Sequence, residues 1–265
     1  MVNNVILFMD TPLFSIITVC YNAAGCIGRT LASVREQLFG DYEYIIIDGA
    51  STDGTTDIVT RSGVKCDRLV CEPDNGIYDA MNKGIGLARG EYLIFLNAGD
   101  TLFADDTLSK AAGMLKAGNP DVFYGDTAIV DDGGNFIAMR RLRPPKRLSS
   151  ASFRMGMTVC HQAFWVKRSV APLYDLAFKY SADYDWCVRI LKRNPSPVCM
   201  NSGLTLVNYL QEGTTTKHHR ASLKERFDIM CREYGTAATV VLHLWFAVRN
   251  AASKGSAMLL RRKAV

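Results

Sequence analysis

Tyr92-Leu93-Ile94-Phe95-Leu96-Asn97-Ala98-Gly99-Asp100 is the stretch of the sequence that decides the fold. Its first five residues are apolar or aromatic, and such a run is typical of a strand buried on both faces of an α/β sheet. The polar residues that follow therefore fall at the carboxyl end of a strand, where open α/β sheets bind ligands. An aspartate there can help to hold a divalent cation. The alternative is an ordinary turn, because Asn, Gly and Asp all favour turns.

Strand and helix patterns alternate around this stretch. The predicted elements are strands at 14–21, 42–48, 68–71 and 92–96, and helices at 27–38, 51–59, 77–88 and 105–115. Ser51 is the expected N-cap of the second helix, and Leu38 is the last residue of the apolar stripe of the first. Four such alternations predict a parallel sheet with right-handed crossovers.

The pattern becomes mixed after residue 121. Strands are predicted at 122–124, 136–141 and 163–166, with a hairpin turn at 131–134, and helices at 183–192, 220–234 and 236–252. We therefore predict a mostly parallel α/β half at 14–125 and a mixed half at 126–216, which together form one domain at 1–216. A helical segment at 217–265 follows it.

Composition and charge restrict the class of protein. The 265 residues are 48% hydrophobic and 22% charged, which is ordinary for a globular protein. Of the net charge of +5, residues 217–265 carry +7, so the rest of the chain is slightly acidic and no nucleic-acid partner is expected. Eight dispersed cysteines without a Cys-x-x-Cys pair indicate a reducing compartment. With no convincing signal peptide and no run of 18 apolar residues, we expect a cytoplasmic protein.

The end of the chain has the composition of an interfacial helix. Residues 237–248 are almost wholly apolar, contain Trp245 and Phe246, and are followed by five basic residues. This run is too short to span a bilayer, but it fits a helix lying on an anionic membrane surface. The alternative is a helix that packs on the main domain and has a basic end.

Two strand ends suggest a nucleotide. Tyr21 and Asp48 end neighbouring predicted strands, and an aromatic face beside a carboxylate suits a planar nucleobase with a ring N–H. The alternative makes Tyr21 a core residue and Asp48 a turn cap. Asp183 and Asp185 lie at a predicted helix start, where the helix dipole favours ionised acids; acids at this position are also common without function.

Four ordered blocks together resemble a known family. They are FSIITVCYN at 14–22, IDGASTDGT at 47–55, DNGIYDAMNKG at 74–84 and FLNAGD at 95–100. The chain resembles inverting family 2 glycosyltransferases with a GT-A fold, and in particular the bacterial enzymes of exopolysaccharide and colanic-acid-type biosynthesis. The resemblance covers about residues 14–125 and continues more weakly to 195.

The resemblance implies roles for individual positions. Tyr21 matches the aromatic residue that stacks on the nucleotide base, Asp48 matches the aspartate that contacts the base, and Asn82 falls in the segment that lines the donor pocket. Asp183 matches the catalytic base. Asp185 is the rival base, although holding the helix or the acceptor loop is the favoured role for it.

The metal motif departs from the family pattern. Asn97-Ala98-Gly99-Asp100 takes the place of Asp-x-Asp, so Asp100 alone keeps a carboxylate and Asn97 faces donor or acceptor. The resemblance still implies Mg²⁺ or Mn²⁺, held by Asp100 together with diphosphate oxygens and bound weakly without donor. His218 and His219 are candidate late metal ligands or a surface pair. His161 belongs to a loop that faces donor or acceptor, or has a structural role.

The implied reaction moves a sugar from a nucleotide sugar to a hydroxyl of a lipid-linked saccharide acceptor, with inversion. It would take place at the inner face of the cytoplasmic membrane. Two alternatives stay open. One is a sugar-1-phosphate nucleotidylyltransferase, although no basic glycine-rich loop directly follows the first strand. The other is a degenerate nucleotide-sugar-binding module, because two acids of the family motif are missing at 97–99. A dehydrogenase is disfavoured because no Gly-x-Gly-x-x-Gly follows the first strand.

Overall fold

A computed structural model describes residues 11–211 and 219–246. The strands are β1 (Phe14–Cys20), β2 (Tyr42–Asp48), β3 (Arg68–Cys71), β4 (Tyr92–Phe95), β5 (Thr101–Leu102), β6 (Val122–Val130), β7 (Phe136–Met139), β8 (Phe164–Lys167) and β9 (Cys199–Leu210). The helices are α1 (Ile27–Arg35), α2 (Thr55–Arg61), α3 (Ile77–Leu87), α4 (Thr107–Gly118), α5 (Ala182–Leu191) and α6 (His219–Tyr234). Two compact units result, Met1–Lys217 and His218–Val265. That residues 1–216 form the catalytic domain, and that residues 217–265 have a separate function, stays a prediction.

One mixed sheet organises the first unit. Its strand order is β3-β2-β1-β4-β8-β6-β9-β5, and β7 pairs with β6. The pairs among β1, β2, β3 and β4 are parallel, whereas β8 is antiparallel to both β4 and β6. The predicted α/β architecture, a mostly parallel half followed by a mixed half, is confirmed.

The central strands are buried because both of their faces are covered. Every residue of β1 and β4 is buried, as expected for parallel strands with helices on both sides. On α1 the buried residues include Ile27, Leu31 and Val34, which recur at helical spacing and face the sheet.

The register places several strand ends at one edge. Cys20 pairs with Asp48, and Asp48 pairs with Cys71, while the N–H of Ala98 donates to the carbonyl of Val19 at 3.3 Å. Because these strands are parallel, the segments that follow β1, β2, β3 and β4 emerge on the same side. We call this side the carboxyl edge, and it carries the candidate site.

Several sequence predictions of local structure were wrong. Helix α2 begins at Thr55 and not near Ser51, because the Ser51 hydroxyl and N–H both donate to Asp48 and Gly54 precedes the helix with φ of 92°. Leu38 is 73% exposed because α1 ends at Arg35. Residues 140 and 141 lie beyond the end of β7.

Two strands were not predicted. The twelve-residue β9 runs parallel to β6 with register shifts beside Asp126, and its sequence is interrupted by Asn201-Ser202-Gly203, which hides the alternating pattern. Strand β5 has only two residues and pairs with β9. Strand β9 matters for the site because it carries Tyr209 and Leu210 to the carboxyl edge.

The second unit is helical where it is described. Helix α6 is followed by a helical segment at 236–246, and the rest of the predicted helix to 252 lies outside the described residues. Within the described part of the chain, no helix combines the length and hydropathy needed to cross a bilayer.

Candidate functional site

A buried carboxylate with four hydrogen-bond donors holds the end of β2. Asp48 is fully buried, and its Oδ1 accepts hydrogen bonds from the Ser51 hydroxyl (2.5 Å) and the Cys20 thiol (3.4 Å). Its Oδ2 accepts from the Ser51 N–H (2.8 Å) and the Cys71 thiol (3.2 Å). Burial acts to raise the pKa of Asp48, but these hydrogen bonds outweigh it and the pKa lies below its usual value. Asp48 therefore stays ionised and fixes the loop that follows β2.

That loop supports an exposed aromatic ring. Asn22 donates its N–H to the Ser51 hydroxyl (2.8 Å) and accepts from the N–H of Thr52 (3.0 Å). Asn22 adopts a left-handed conformation with φ of 47°, which Asn tolerates better than most residues. The preceding residue, Tyr21, is 66% exposed. The ring is thus available as a stacking surface at the carboxyl edge and is not part of the core.

The turn after β4 presents the second predicted carboxylate. The N–H of Asp100 donates to the Asn97 carbonyl at 2.9 Å, and Gly99 closes the turn with φ of 99°. A Cβ at Gly99 would lie 2.7 Å from a methyl group of Leu210, so the turn also needs glycine for space.

Asp100 itself is 4% exposed. Its Oδ1 accepts from the N–H of Leu210 (3.0 Å), and its Oδ2 accepts from the side-chain amide of Gln162 (2.9 Å). Burial raises the pKa of Asp100 to about 7, against the effect of these two hydrogen bonds. Asp100 is therefore a buried acid with one further lone pair on each oxygen.

The donor set at this turn fits a hard cation in part. Within the described ranges, no three His, Cys, Asp or Glu side chains lie together as a metal cluster. However, the buried Oδ1 of Asn97 has no hydrogen-bond partner, and an amide oxygen and a carboxylate are both suitable ligands for Mg²⁺ or Mn²⁺. The protein therefore offers two candidate oxygen ligands. His218 and the side chain of His219 lie outside the described residues.

Asp183 lies at the start of α5 with one oxygen anchored. Its Oδ1 accepts hydrogen bonds from the Tyr78 hydroxyl (3.1 Å) and from the N–H of Tyr184 (2.8 Å). Its Oδ2 accepts none from the described residues. Asp183 lies in the first turn of α5, beside the positive end of the helix dipole. This contrast between the two oxygens leaves one of them able to accept a proton from a ligand.

A cluster of aromatic rings surrounds the end of β4 next to Asp183. The ring centroid of Phe95 lies 5.1 Å from His161, 5.5 Å from Tyr174 and 5.7 Å from Trp186. Tyr174 stacks on Trp186 at 5.0 Å and on Tyr78 at 5.5 Å. We call these five side chains the aromatic platform. Since Trp186 belongs to α5 and Tyr78 to α3, the platform fixes the start of α5 at the carboxyl edge.

His161 belongs to this platform and not to an open loop. It is 4% exposed, and its Nε2 forms a hydrogen bond of 2.6 Å with the Tyr174 hydroxyl. Burial lowers the pKa of His161 to about 4, although Asp183 acts in the opposite direction. At neutral pH the ring is therefore uncharged.

Two other predicted site residues have their polar groups engaged. The Asn82 amide donates to the Tyr174 carbonyl (3.1 Å) and accepts from the Tyr174 N–H (2.7 Å). Asp185 is fully buried and accepts from Arg189 Nε at 2.6 Å in an i,i+4 ion pair. In this structure Asn82 holds the segment around Tyr174, and Asp185 holds α5 through Arg189.

Tyr209 links the two halves of the candidate site. Burial raises the pKa of Tyr209, and the negative charges of Asp100 and Asp183 raise it further. The strand ends bring Tyr21, Asp48, Asn97 and Asp100 to one edge, and the platform brings Asp183 there. Tyr78 and Tyr174, which help to hold these groups, had no predicted role, and Ser51 was predicted only to cap a helix. Tyr78 and Ser51 lie inside the quoted blocks at 74–84 and 47–55, whereas Tyr174 lies in none of the four.

Comparison with solved structures defines the class. The chain superposes on Staphylococcus aureus TarS 1–349 in complex with UDP with a TM-score of 0.65 and 17% identity, over 83% of this chain and 64% of that one, which is under two thirds of its length. It superposes on the mannosyltransferase PcManGT of Pyrobaculum calidifontis, in complex with GDP-Man and Mn²⁺, with a TM-score of 0.62 and 18% identity, over 92% and 74% of the two chains. These likenesses show the GT-A fold.

Sequence comparison gives the family. The model of "Glycosyl transferase family 2" matches residues 15–172. A PGL/p-HBAD biosynthesis glycosyltransferase of Mycobacterium bovis is 33% identical over 77% of this chain and 79% of its own length. The Escherichia coli UDP-Glc:alpha-D-GlcNAc-diphosphoundecaprenol beta-1,3-glucosyltransferase WfgD is 26% identical over 84% and 87%. The chain belongs to glycosyltransferase family 2 and is a glycosyltransferase that uses a nucleotide-sugar donor.

Proposed function

We propose that this glycosyltransferase inverts the anomeric carbon of its donor, with Asp183 as the base that deprotonates the acceptor hydroxyl. The observation that carries the proposal is the state of the Asp183 carboxylate, which has Oδ1 anchored by two donors and Oδ2 open among the described residues. A base must be fixed in position and still have a lone pair directed to the proton that it removes. Attack on the face opposite the departing nucleoside diphosphate then inverts the configuration.

The donor nucleotide would lie along the carboxyl edge, with its base on Tyr21. Support comes from the exposure of the Tyr21 ring and from the rigid loop that Asp48 and Ser51 hold beside it. The predicted contact of Asp48 with the base is not retained as its main role, because all four recorded bonds of its carboxylate go to protein groups. The TarS neighbour was solved with UDP and the PcManGT neighbour with GDP-Man, so both bases belong in the test.

A divalent cation would be held by Asp100 and Asn97 together with the donor. When bound, the cation neutralises negative charge on the departing diphosphate. Support comes from the unpartnered Asn97 Oδ1, from the lone pairs left on Asp100 and from the Mn²⁺ in the PcManGT neighbour. Gln162 and the N–H of Leu210 hold the Asp100 carboxylate in place whether or not a cation is present.

The acceptor would be a saccharide on a lipid carrier, and the enzyme would bind the inner face of the cytoplasmic membrane. WfgD is named for a diphosphoundecaprenol-linked acceptor. The helical segment at 236–246 exposes Val240, Val241, Leu244 and Trp245, and basic residues follow it in the sequence. An exposed apolar helix face next to cationic residues suits an anionic leaflet.

A binding panel followed by a product assay tests the donor proposal. Thermal shifts would be measured with UDP, GDP, UDP-glucose, UDP-GlcNAc and GDP-mannose, each with and without Mn²⁺. We expect one base to stabilise the protein, more strongly with Mn²⁺. With GlcNAc-diphosphoundecaprenol as acceptor, the preferred donor should release nucleoside diphosphate and give a product of opposite anomeric configuration by NMR. A product of retained configuration would contradict the proposal.

Liposome flotation tests the membrane proposal. The full chain should float with vesicles that contain phosphatidylglycerol, and the bound fraction should fall as salt rises because the attraction is screened. A Val241→Asp, Leu244→Asp variant should float less, with a Lys65→Asp variant in the first unit as the control. Equal flotation of the apolar-face variant and the full chain would contradict the proposal.

A further inference from the structure

We propose that Tyr78 is a positioning residue that holds one oxygen of Asp183 so that the other faces the acceptor hydroxyl. The inference rests on the proposed role of Asp183 as base. Tyr78 lies in α3, which follows β3 on the carboxyl edge, whereas Asp183 lies in α5, more than 100 residues later. The hydrogen bond between their side chains therefore joins the nucleotide half of the fold to the acceptor half at the reacting group.

The geometry gives Tyr78 a directional role. Its hydroxyl and the Tyr184 N–H both donate to Oδ1 of Asp183. With two donors on the same oxygen, rotation of the carboxyl group would break both hydrogen bonds, so Oδ2 is kept on the opposite side. The backbone donor belongs to α5 itself and moves with Asp183. The Tyr78 hydroxyl is the donor that comes from another element and fixes the carboxylate relative to the sheet.

The Tyr78 ring is held in place by its neighbours. It is 8% exposed and stacks on Tyr174 with centroids 5.5 Å apart and an interplanar angle of 27°. Tyr174 is fixed in turn by the two hydrogen bonds between its backbone and Asn82 and by its hydroxyl contact with His161. A donor whose ring cannot rotate away is suited to hold a carboxylate in one orientation.

Several titratable groups near Asp183 are uncharged near neutral pH. They include His161, Tyr174, Cys187 on α5 and Tyr209 on β9, on all of which Asp183 acts. Burial lowers the pKa of the histidine and raises the pKa of the other three, so all four are uncharged near neutral pH. The Tyr78 hydroxyl therefore acts on the carboxylate without competition from a cationic neighbour in this set.

The test compares Tyr78→Phe with Tyr42→Phe. Tyr42 donates its hydroxyl to the Val34 carbonyl at the amino end of β2, so its loss removes a similar hydrogen bond far from the carboxyl edge. Nucleoside diphosphate release would be followed with the donor that the binding panel selects. We expect Tyr78→Phe to lower kcat about 10-fold, to leave the donor KM within about twofold of wild type, and to move the acid limb of the pH profile to higher pH.

A second substitution should shift the acid limb of the pH profile in the opposite direction. Replacing Tyr78 with 3-fluorotyrosine keeps the ring and makes the hydroxyl a stronger donor, so the acid limb should move to lower pH with kcat retained. This variant stays informative if the phenylalanine variant folds poorly. A Tyr78→Phe enzyme that matches Tyr42→Phe in kcat and in its pH profile would overturn the inference, as would an unmoved acid limb in the fluorotyrosine enzyme.

The failure of the underlying proposal would be visible separately. If Asp183→Asn keeps normal turnover, then Asp183 is not the base, whatever Tyr78 does. If Asp183→Asn is inactive and Tyr78→Phe behaves like its control, then the base assignment stands and the positioning role is wrong.

Discussion

Asp48 and Asp183 are two carboxylates at the same edge of the sheet, and their surroundings differ. Asp48, in the nucleotide half, is fully buried and accepts four hydrogen bonds shared between its two oxygens. Asp183, in the acceptor half, accepts two hydrogen bonds on one oxygen, and the other oxygen has no partner within the described residues.

The difference separates a carboxylate that builds the site from one that can react in it. All the recorded donors of Asp48 are protein groups, so its charge stabilises the loop at residues 49–51 and the Tyr21 segment beside it. The donors of Asp183 orient it and leave a lone pair for a ligand. Replacing one carboxylate oxygen with an amide NH₂ should therefore lower stability at Asp48 and turnover at Asp183.

Asp183→Asn should have the largest effect. The amide oxygen can still accept from Tyr78 and Tyr184, but the amide cannot take up a proton. We expect turnover to fall by about 10³-fold, within the range usual for loss of a general base, while UDP or GDP binding stays within about twofold. Nucleoside diphosphate release and isothermal titration measure the two quantities. An Asp183→Asn enzyme with normal turnover would show that Asp183 is not the reacting carboxylate.

His161 should make the acceptor half sensitive to acid. Its folded pKa of about 4 lies below the unfolded value of 6.5, so the unfolded chain binds the proton first and stability falls as pH drops from about 6.5 to 4. The shift corresponds to about 3 kcal/mol of unfolding free energy. Wild type and His161→Asn would be compared by urea unfolding at pH 7.5 and pH 4.5.

The difference between the two proteins in the stability lost on acidification isolates the contribution of His161. Because the pKa of Asp100 is raised in the folded state, its protonation adds to the stability of both proteins as the pH falls, opposite to the effect of His161. We expect wild type to lose more stability on acidification than the variant. Equal losses would show that His161 is not a buried neutral group.

Asp48→Asn should affect stability more than chemistry. Four donors face this side chain, and an amide can accept only through its oxygen, so donors around the former Oδ2 would meet an NH₂ group. We expect a loss of about 2 kcal/mol in unfolding free energy, measured by urea unfolding, against less than about 0.5 kcal/mol for Asp183→Asn. Similar losses in the two variants would contradict the structural side of the comparison.

Tyr21→Ala should have the smallest effect. Because the ring is mostly exposed, its removal should leave stability nearly unchanged. Loss of stacking with a base should weaken nucleoside diphosphate affinity by about 1–2 kcal/mol, or roughly 10-fold. Tyr21→Phe keeps the stacking surface and serves as the control, with expected affinity near that of wild type. Equal affinities of the alanine and phenylalanine variants would place the base elsewhere.

The nucleotide half of the fold could be predicted closely from the sequence. Strands β2 and β3 begin and end at the predicted residues, because their apolar runs are short and bounded by polar turns. Strand β9 could not be predicted, since a polar interruption and register shifts break its alternation. The predicted start of α2 was wrong because the Ser51 side chain and N–H donate to Asp48, three residues earlier, and so do not cap a helix.

The sequence predicts where the candidate site residues lie better than it predicts what they contact. The strand-end positions of Tyr21, Asp48, Asn97 and Asp100 follow from parallel pairing, which the alternating pattern indicates. Contacts such as Gln162 with Asp100, or Tyr78 with Asp183, join residues 62 and 105 positions apart. No local pattern encodes such pairs, because tertiary packing brings them together.

A crystal structure with UDP or GDP and Mn²⁺, whichever nucleotide the binding panel selects, tests the account most directly. We expect the base on the Tyr21 ring, the diphosphate at residues 97–100, and Oδ2 of Asp183 facing the open side of the terminal phosphate. A nucleotide bound away from Tyr21, or an Asp183 carboxylate sealed from the bound diphosphate by protein, would contradict the claim that this edge is the active site.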